Sequence, residues 1–244
     1  MSRLMQEMCA NGLVLTDGAW GTQLQVRGLL VGEYPEIWNL LRPDYVEAVA
    51  HAYVEAGSQV ILTNTFGANS LTLARHDLAD RTAEINRKGV EISRCAANGQ
   101  AKVFALMGPT GQVLGRGVVS QAQVFFAFRE QAEALAEGGA DAIVIETMSD
   151  LAEAELAVAA ARTTGLPVIA GMVYGAGRNG DRTIMGVTPE QAAERLAAAG
   201  ADGIGANCGE SAARLLPICV RLRAATSLPL WLKPDAGRPH LLET

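Results

Sequence analysis

The sequence predicts an α/β protein in which one parallel β-sheet is covered by helices. Three observations predict it: short apolar runs alternate with Ala-rich helical stretches, the apolar runs are continuous, and similar junctions recur along the chain. Continuous apolar runs of strand length are typical of strands buried on both faces of a sheet. The 244 residues, of which 49% are hydrophobic and 19% charged, predict a single folded domain over residues 1–244.

Seven apolar runs are expected to be strands. In chain order they cover residues 13–16, 60–65, 103–107, 142–146, 167–173, 203–207 and 229–233. The helices between them carry their own start signals. Asp150 is expected to cap one helix, and Thr188-Pro189-Glu190-Gln191 combines an N-cap, a first-turn proline and a capping box for the next.

Two kinds of junction alternate along the chain. Residues 55–62, 137–145 and 198–206 each combine a helix end, a glycine suited to the left-handed C′ position and a strand, whereas residues 164–171 and 227–234 lead into their strands through proline. This alternation favours a TIM-type (β/α)8 barrel, in which the next junction would follow about 60 residues after Gly200. Because the sequence ends at Thr244, we expect seven strands, a missing eighth strand module, and a gap filled by irregular structure, a partner or lost residues.

An open doubly wound sheet is the alternative architecture. Its nucleotide-binding fingerprint GxGxxG is absent after the first apolar run, which favours the barrel.

Composition excludes several classes of partner. Lys and Arg number 20 against 26 Asp and Glu, and no basic run occurs, so nucleic acid is not expected as a partner. The apolar stretches are too short to span a membrane and the N-terminus lacks a signal-peptide core, so we expect a cytoplasmic protein. The four cysteines form no CxxC pair, which argues against a disulfide framework or a complete zinc-finger set.

Polar residues that end the apolar runs are the candidate site residues, because barrel active sites lie at the C-terminal ends of the strands. They are Asp17, Asn64, Thr65, Gly108 to Thr110, Glu146, Asn207, Cys208, Lys233 and Asp235. Such a set suits a small zwitterion: carboxylates pair with its ammonium, and backbone N–H groups of a turn such as Asp17-Gly18-Ala19 receive its carboxylate. Structural roles stay open, since Asp17 and Glu146 can pair with arginines and Cys208 can be a small buried apolar residue.

Six segments, in order over nearly the whole chain, carry a family resemblance. They are LTDGAWGTQL (15–24), LTNTFGAN (62–69), GPTG (108–111), IETMSDLAEA (145–154), GANCG (205–209) and KPDAGRP (233–239). Together they resemble the homocysteine S-methyltransferase family, and in particular the homocysteine-binding barrel of cobalamin-dependent methionine synthase. The resemblance implies a barrel that binds homocysteine, activates its thiol on Zn²⁺ and presents it to a methyl donor.

The resemblance also implies roles for single residues. Asp17 and Glu146 match residues that hold the amino-acid part of homocysteine, and Gly18, Asn64 and Thr65 match residues of the same pocket. Cys208 matches the first zinc ligand and is therefore the catalytic candidate. The other two ligands of the family are adjacent cysteines of a GGCCG motif on the eighth strand, and this chain has no adjacent cysteines. Asp235 replaces a family asparagine and is a further candidate metal ligand.

Three interpretations stay open. The chain is a homocysteine or related thiol methyltransferase whose last module is removed, disordered or supplied by another chain. It is otherwise a zinc-less methyltransferase-like subunit with another acceptor, or a non-catalytic remnant that binds an amino acid. The donor is open among methylcobalamin, betaine and S-methylmethionine. Methylcobalamin would arrive on a separate corrinoid protein. Assembly of this chain into a homo-oligomer also stays open.

Overall fold

The computed structural model describes residues 2–114 and 118–236, except for the side chain of Glu210. Residues 237–239 of the KPDAGRP segment lie outside the described residues. Six strands form one parallel sheet in chain order: β1 (Val60–Leu62), β2 (Lys102–Met107), β3 (Ala142–Met148), β4 (Val168–Met172), β5 (Gly203–Ser211) and β6 (Leu230–Asp235).

Helices connect these strands and cover the outside of the sheet. They are α1 (Arg3–Cys9), α2 (Gly21–Val26), α3 (Trp38–Leu41), α4 (Pro43–Glu55), α5 (Ser70–Leu73), α6 (Thr82–Ala97), α7 (Gln121–Glu137), α8 (Leu151–Arg162), α9 (Pro189–Ala199) and α10 (Ala212–Ala225). Among the described residues, no helix has both the length and the apolar character needed to cross a membrane.

Six of the seven predicted strands are confirmed, and their apolar side chains form the buried core. The local signals are confirmed as well. Gly57, Gly139 and Gly200 all have positive φ angles, of 91°, 90° and 100°, where each helix turns into its strand. Thr188 caps α9 in a complete capping box, and the Asp150 side chain accepts the Ala152 N–H at the start of α8.

The first predicted strand is wrong. Residues 13–16 make only one isolated bridge, between Thr16 and Val60 of β1. The Leu15 N–H donates to the side chain of Gln59 instead of continuing a ladder. Leu13 and Leu15 are 101% and 58% exposed, and among the described residues no second strand pairs with this segment. The segment has one neighbour where a barrel strand needs two, and the fold described is a six-stranded partial barrel.

The sheet is curled, which brings its first and last strands toward each other. The rings of Phe104 on β2 and Trp231 on β6 stack with centroids 6.1 Å apart, although three strands separate them in the sheet. At the carboxyl ends of the strands, Lys233 of β6 forms an ion pair with Asp17, whose N–H donates to the Val60 carbonyl of β1. At the amino ends, a mainly apolar cavity of about 490 Å³ lies between residues 12–16 and β6.

Candidate functional site

A second cavity, of about 710 Å³, lies at the carboxyl ends of the strands. Its walls bring together six of the seven residues to which a binding or metal-ligand role was assigned with the family resemblance: Gly18, Asn64, Thr65, Glu146, Cys208 and Asp235. These residues come from the segment before β1 and from the ends of β1, β3, β5 and β6. The carboxyl ends of parallel strands meet at one edge of the sheet, which is why residues so distant in sequence share one cavity.

Asp17, the seventh predicted residue, lies behind the wall of this cavity. Its side chain has no exposed surface. Oδ2 accepts hydrogen bonds from Trp20 Nε1 and from the Leu62 N–H of β1, both at 2.7 Å. Oδ1 accepts one from Lys233 Nζ at 2.8 Å. The chain itself therefore supplies all the partners that this carboxylate has in the structure.

Glu146 is buried near the end of β3 and lines the cavity. Trp231 Nε1 donates to its Oε1 at 2.5 Å. Burial raises the pKa of this carboxyl above its ordinary value, although the nearby Lys233 ammonium and the Trp231 hydrogen bond act in the opposite direction. A second cation in the cavity would favour its ionised form.

Thr147 and Cys208 face each other at two irregularities of the sheet. The β3–β4 register shifts between Ile145 and Met148, and the β5–β6 register shifts between Asn207 and Ser211. Thr147 has a φ angle of +65° and Cys208 one of +55°, a conformation that a β-branched residue such as threonine rarely adopts. Strained residues of this kind cluster at functional sites, and this pair lies in the wall of the cavity.

Asn207 holds this strained pair together. Its Oδ1 accepts the Thr147 N–H at 2.8 Å, and its Nδ2 donates to Thr147 Oγ1 at 2.7 Å and to Cys208 Sγ at 3.2 Å. Cys208 is exposed at the cavity, but desolvation and the nearby carboxylates of Glu146 and Asp235 raise the pKa of its thiol. A raised pKa lowers the share of the nucleophilic thiolate at a given pH.

Asn64, Thr65 and Gly18 shape the wall of the cavity. Asn64 Nδ2 donates to the Pro35 carbonyl at 2.8 Å and to Asn39 Oδ1 at 3.0 Å. The Thr65 hydroxyl is buried and donates to the Leu106 carbonyl at 2.7 Å. A Cβ at Gly18 would lie 2.9 Å from Tyr53 Oη, so the close approach of this ring requires glycine.

Several residues of this cavity had no role predicted from the sequence. Thr147 and Trp231 were not singled out, and Lys233 was noted only as a polar residue at a strand end. Glu36 also lines the cavity, although no apolar run precedes it to mark it as a strand end. Thr147 is a polar residue that directly follows Glu146, and this position next to a candidate site residue was the available signal for it. No sequence signal pointed to Glu36.

The described residues do not by themselves form the zinc site that the resemblance implies. Among residues 2–114 and 118–236, no group of three or more His, Cys, Asp or Glu side chains could hold a metal ion. Cys9 and Cys219 line the cavity at the opposite end of the sheet, and Cys95 is exposed on α6. Cys208 and Asp235 offer one thiol and one carboxylate, fewer than the three protein ligands usual for catalytic zinc.

Fold and site together define an α/β domain of the barrel type whose cavity at the carboxyl ends of the strands contains charged side chains and a thiol. The sequence profile described as "Homocysteine S-methyltransferase" matches residues 14–244. The chain therefore belongs to the homocysteine S-methyltransferase family.

Individual relatives agree with this assignment. The chain is 30% identical over 253 residues to a methionine synthase of Mycobacterium tuberculosis, and the match covers 96% of the chain and 21% of that protein. It is 29% identical over 209 residues to betaine–homocysteine S-methyltransferase 1 of Danio rerio, covering 84% of the chain and 51% of the relative. The chain thus spans about a fifth to a half of the length of these relatives.

A solved structure shows the same fold. The metallated form of the homocysteine methyltransferase MmuM from Escherichia coli superposes with a TM-score of 0.80 at 23% sequence identity. The match covers 96% of this chain and 87% of the MmuM chain.

Proposed function

We propose that this domain binds homocysteine in the cavity at the carboxyl ends of the strands and presents its thiol for methylation. The observation that carries the proposal is the convergence of Glu146, Lys233 and Cys208 on one cavity. The carboxylate, the ammonium and the thiol side chain correspond to the ammonium, the carboxylate and the thiol of a thiol amino acid. The volume of about 710 Å³ lies within the usual range of small-molecule pockets, roughly 300–1,000 Å³.

Glu146 is the proposed partner of the ligand ammonium. It lines the cavity, whereas the side chain of Asp17 has no exposed surface. Burial raises the pKa of Glu146, and an incoming ammonium would offset this cost by pairing with the ionised carboxylate. Gly18, Asn64 and Thr65 contribute the shape of the pocket around the amino-acid part.

Cys208 is proposed as one ligand of a zinc site, with Asp235 as a weaker candidate. Such a site needs further ligands from outside the described residues, since Cys208 and Asp235 are too few. The hydrogen bond from Asn207 Nδ2 fixes the direction of the Cys208 thiol in the wall of the cavity. A fixed thiol is the feature that this chain contributes to sulfur chemistry at the site.

The finer architecture and the methyl donor are also proposals. We infer that the partial barrel corresponds to part of a TIM-type (β/α)8 barrel. Similarity to methionine synthases supports a corrinoid methyl donor. We propose methylcobalamin on a separate protein, with the reaction in the cytoplasm. A donor of that size would approach through the open mouth of the cavity.

Replacement of Glu146 tests the proposed function. We expect Glu146→Gln to weaken homocysteine binding about 10- to 100-fold in isothermal titration calorimetry, because the charge that pairs with the ammonium is removed. Gln retains an oxygen that can accept the Trp231 hydrogen bond. Glu137→Gln, on the exposed surface of α7, is the matched control and should bind like the wild type. Equal affinity of the Glu146→Gln variant and the wild type would contradict the assignment of the pocket.

A further inference from the structure

Lys233 lines the cavity, and the family resemblance gave it no role. Its side chain is 17% exposed, and its ammonium pairs with the fully buried Asp17 carboxylate. Burying an ammonium is costly unless it is paired, and this pairing joins residues 216 positions apart in sequence. The pair therefore holds a cation at a defined place inside the cavity.

Asp17 has little capacity left for a ligand. Trp20 Nε1, the Leu62 N–H and Lys233 Nζ already donate to its two oxygens, and none of its side chain is exposed. A ligand ammonium could reach Asp17 only by displacing Lys233. Lys233 has the opposite property: its ammonium carries three donors, and among the described residues its one hydrogen bond goes to Asp17.

We propose that Lys233 binds the carboxylate of the amino-acid ligand and that Asp17 is a positioning residue that holds the Lys233 ammonium in place. The proposal rests on the proposed function, in which the ligand is a thiol amino acid. Glu146 and Lys233 line the same cavity and lie close enough for the ammonium to lower the pKa of the carboxyl. A cation next to an anion complements an amino acid, whose carboxylate and ammonium share one carbon atom.

The test compares ligands that differ only in the carboxylate. Homocysteine and 3-aminopropane-1-thiol are titrated under reducing conditions into the wild type and into Lys233→Met. We expect Lys233→Met to lose about 10- to 100-fold in homocysteine affinity, the usual effect of losing a hydrogen bond to a charged group, and to bind the aminothiol unchanged. Lys102→Met, whose lysine pairs with Asp141 at the opposite end of the sheet, is the control.

Two further variants separate binding from folding and positioning. Asp17→Asn/Lys233→Met removes both charges of the ion pair, so that the Asp17 carboxylate is not left buried without its ammonium, and should show the same selective loss. Asp17→Asn alone should also weaken homocysteine more than the aminothiol, because an unanchored Lys233 holds the carboxylate poorly. A purely structural role of Asp17 would weaken both ligands equally.

Three outcomes would overturn the proposal. They are an unchanged homocysteine affinity in Lys233→Met, an equal loss for both ligands, and tighter aminothiol binding, which would place Lys233 in the position of the ligand ammonium. Methionine and 3-(methylthio)propylamine repeat the comparison without the thiol. If only this second pair binds, the thiol specificity of the proposed function fails while the carboxylate site is still tested.

Discussion

At the scale of single residues, buried polar groups shape the wall of the cavity, and burying them costs folding free energy. Glu36, in the turn Pro35–Ile37, is buried and lines the cavity. Its Oε1 accepts the Gly67 N–H at 2.6 Å, and its Oε2 has no hydrogen-bond partner among the described residues. The Tyr34 hydroxyl donates to the Gly67 carbonyl. Glu36 and Tyr34 thus fix the chain at Gly67, next to Phe66, which also lines the cavity.

Glu36 predicts a pH dependence of stability. Burial raises the pKa of its carboxyl from the ordinary 4.5 to about 7 in the folded protein. The folded state therefore binds more protons than the unfolded state between these values, and the free energy of unfolding falls as pH rises through this range. Urea unfolding of the wild type should show lower stability at pH 8 than at pH 5.5.

Replacement of Glu36 tests the origin of this dependence. Glu36→Gln cannot ionise, so the fall in unfolding free energy between pH 5.5 and 8 should shrink by on the order of 2 kcal/mol. Glu91→Gln, half-exposed on α6, should leave the fall unchanged. An equally steep fall in Glu36→Gln would show that other groups with a raised pKa, such as Glu153, produce it.

At the scale of elements, the contact between β5 and β6 depends on the absence of a side chain. A Cβ at Gly205 of β5 would lie 2.5 Å from the Trp231 carbonyl oxygen and 3.0 Å from Trp231 Cβ. Trp231 in turn donates to Glu146 and precedes Lys233 by two residues on β6. The close approach of the two strands therefore positions two groups of the proposed site.

Gly205→Ala is expected to push β6 away from β5. The clash involves backbone that a rotamer change cannot relieve, so stability should fall by about 1–3 kcal/mol, as for other overpacked sites. Thermal unfolding measures the change. Gly21→Ala is the matched control, because a Cβ there would meet no atom within 4 Å. A melting temperature of Gly205→Ala equal to that of Gly21→Ala would contradict the clash.

At the scale of the whole molecule, the two edges of the curled sheet are linked at the carboxyl ends of the strands and separated at the amino ends. The Lys233–Asp17 ion pair links them beside the cavity of about 710 Å³, while the cavity of about 490 Å³ separates them at the opposite end. Cys208 lies at the carboxyl ends of the strands, and Cys9 and Cys219 lie at the amino ends. The length of the strands therefore separates these cysteines, and the described residues do not gather them into one metal site.

This separation predicts weak zinc binding by the described residues. Competition with a chromogenic chelator should show no tightly bound Zn²⁺, because Cys208 and Asp235 provide fewer than three ligands. Cys208→Ser should then behave like the wild type. About one tightly bound zinc per chain, lost in Cys208→Ser, would instead show that ligands outside the described residues complete the site.

The sequence by itself determined the features that depend on local order. The apolar runs predicted six of the strands, and the glycine junctions and the capping box predicted how helices end and begin, because these signals act within a few residues. It also predicted that the polar strand ends share one cavity, since parallel strands all end at the same edge of a sheet.

Only the tertiary structure decided the features that depend on partners distant in sequence. Residues 13–16 resemble a strand locally, but they lack a neighbour on one side and form a single bridge. Asp17 carries the charge expected of a ligand-binding residue. Lys233, however, lies 216 positions later in the chain and donates a hydrogen bond to Asp17 Oδ1. The burial of Glu36 and the left-handed backbone of Thr147 likewise follow from packing between segments. Desolvation and pairing, which set the role of a charged group, exist only once the chain has folded.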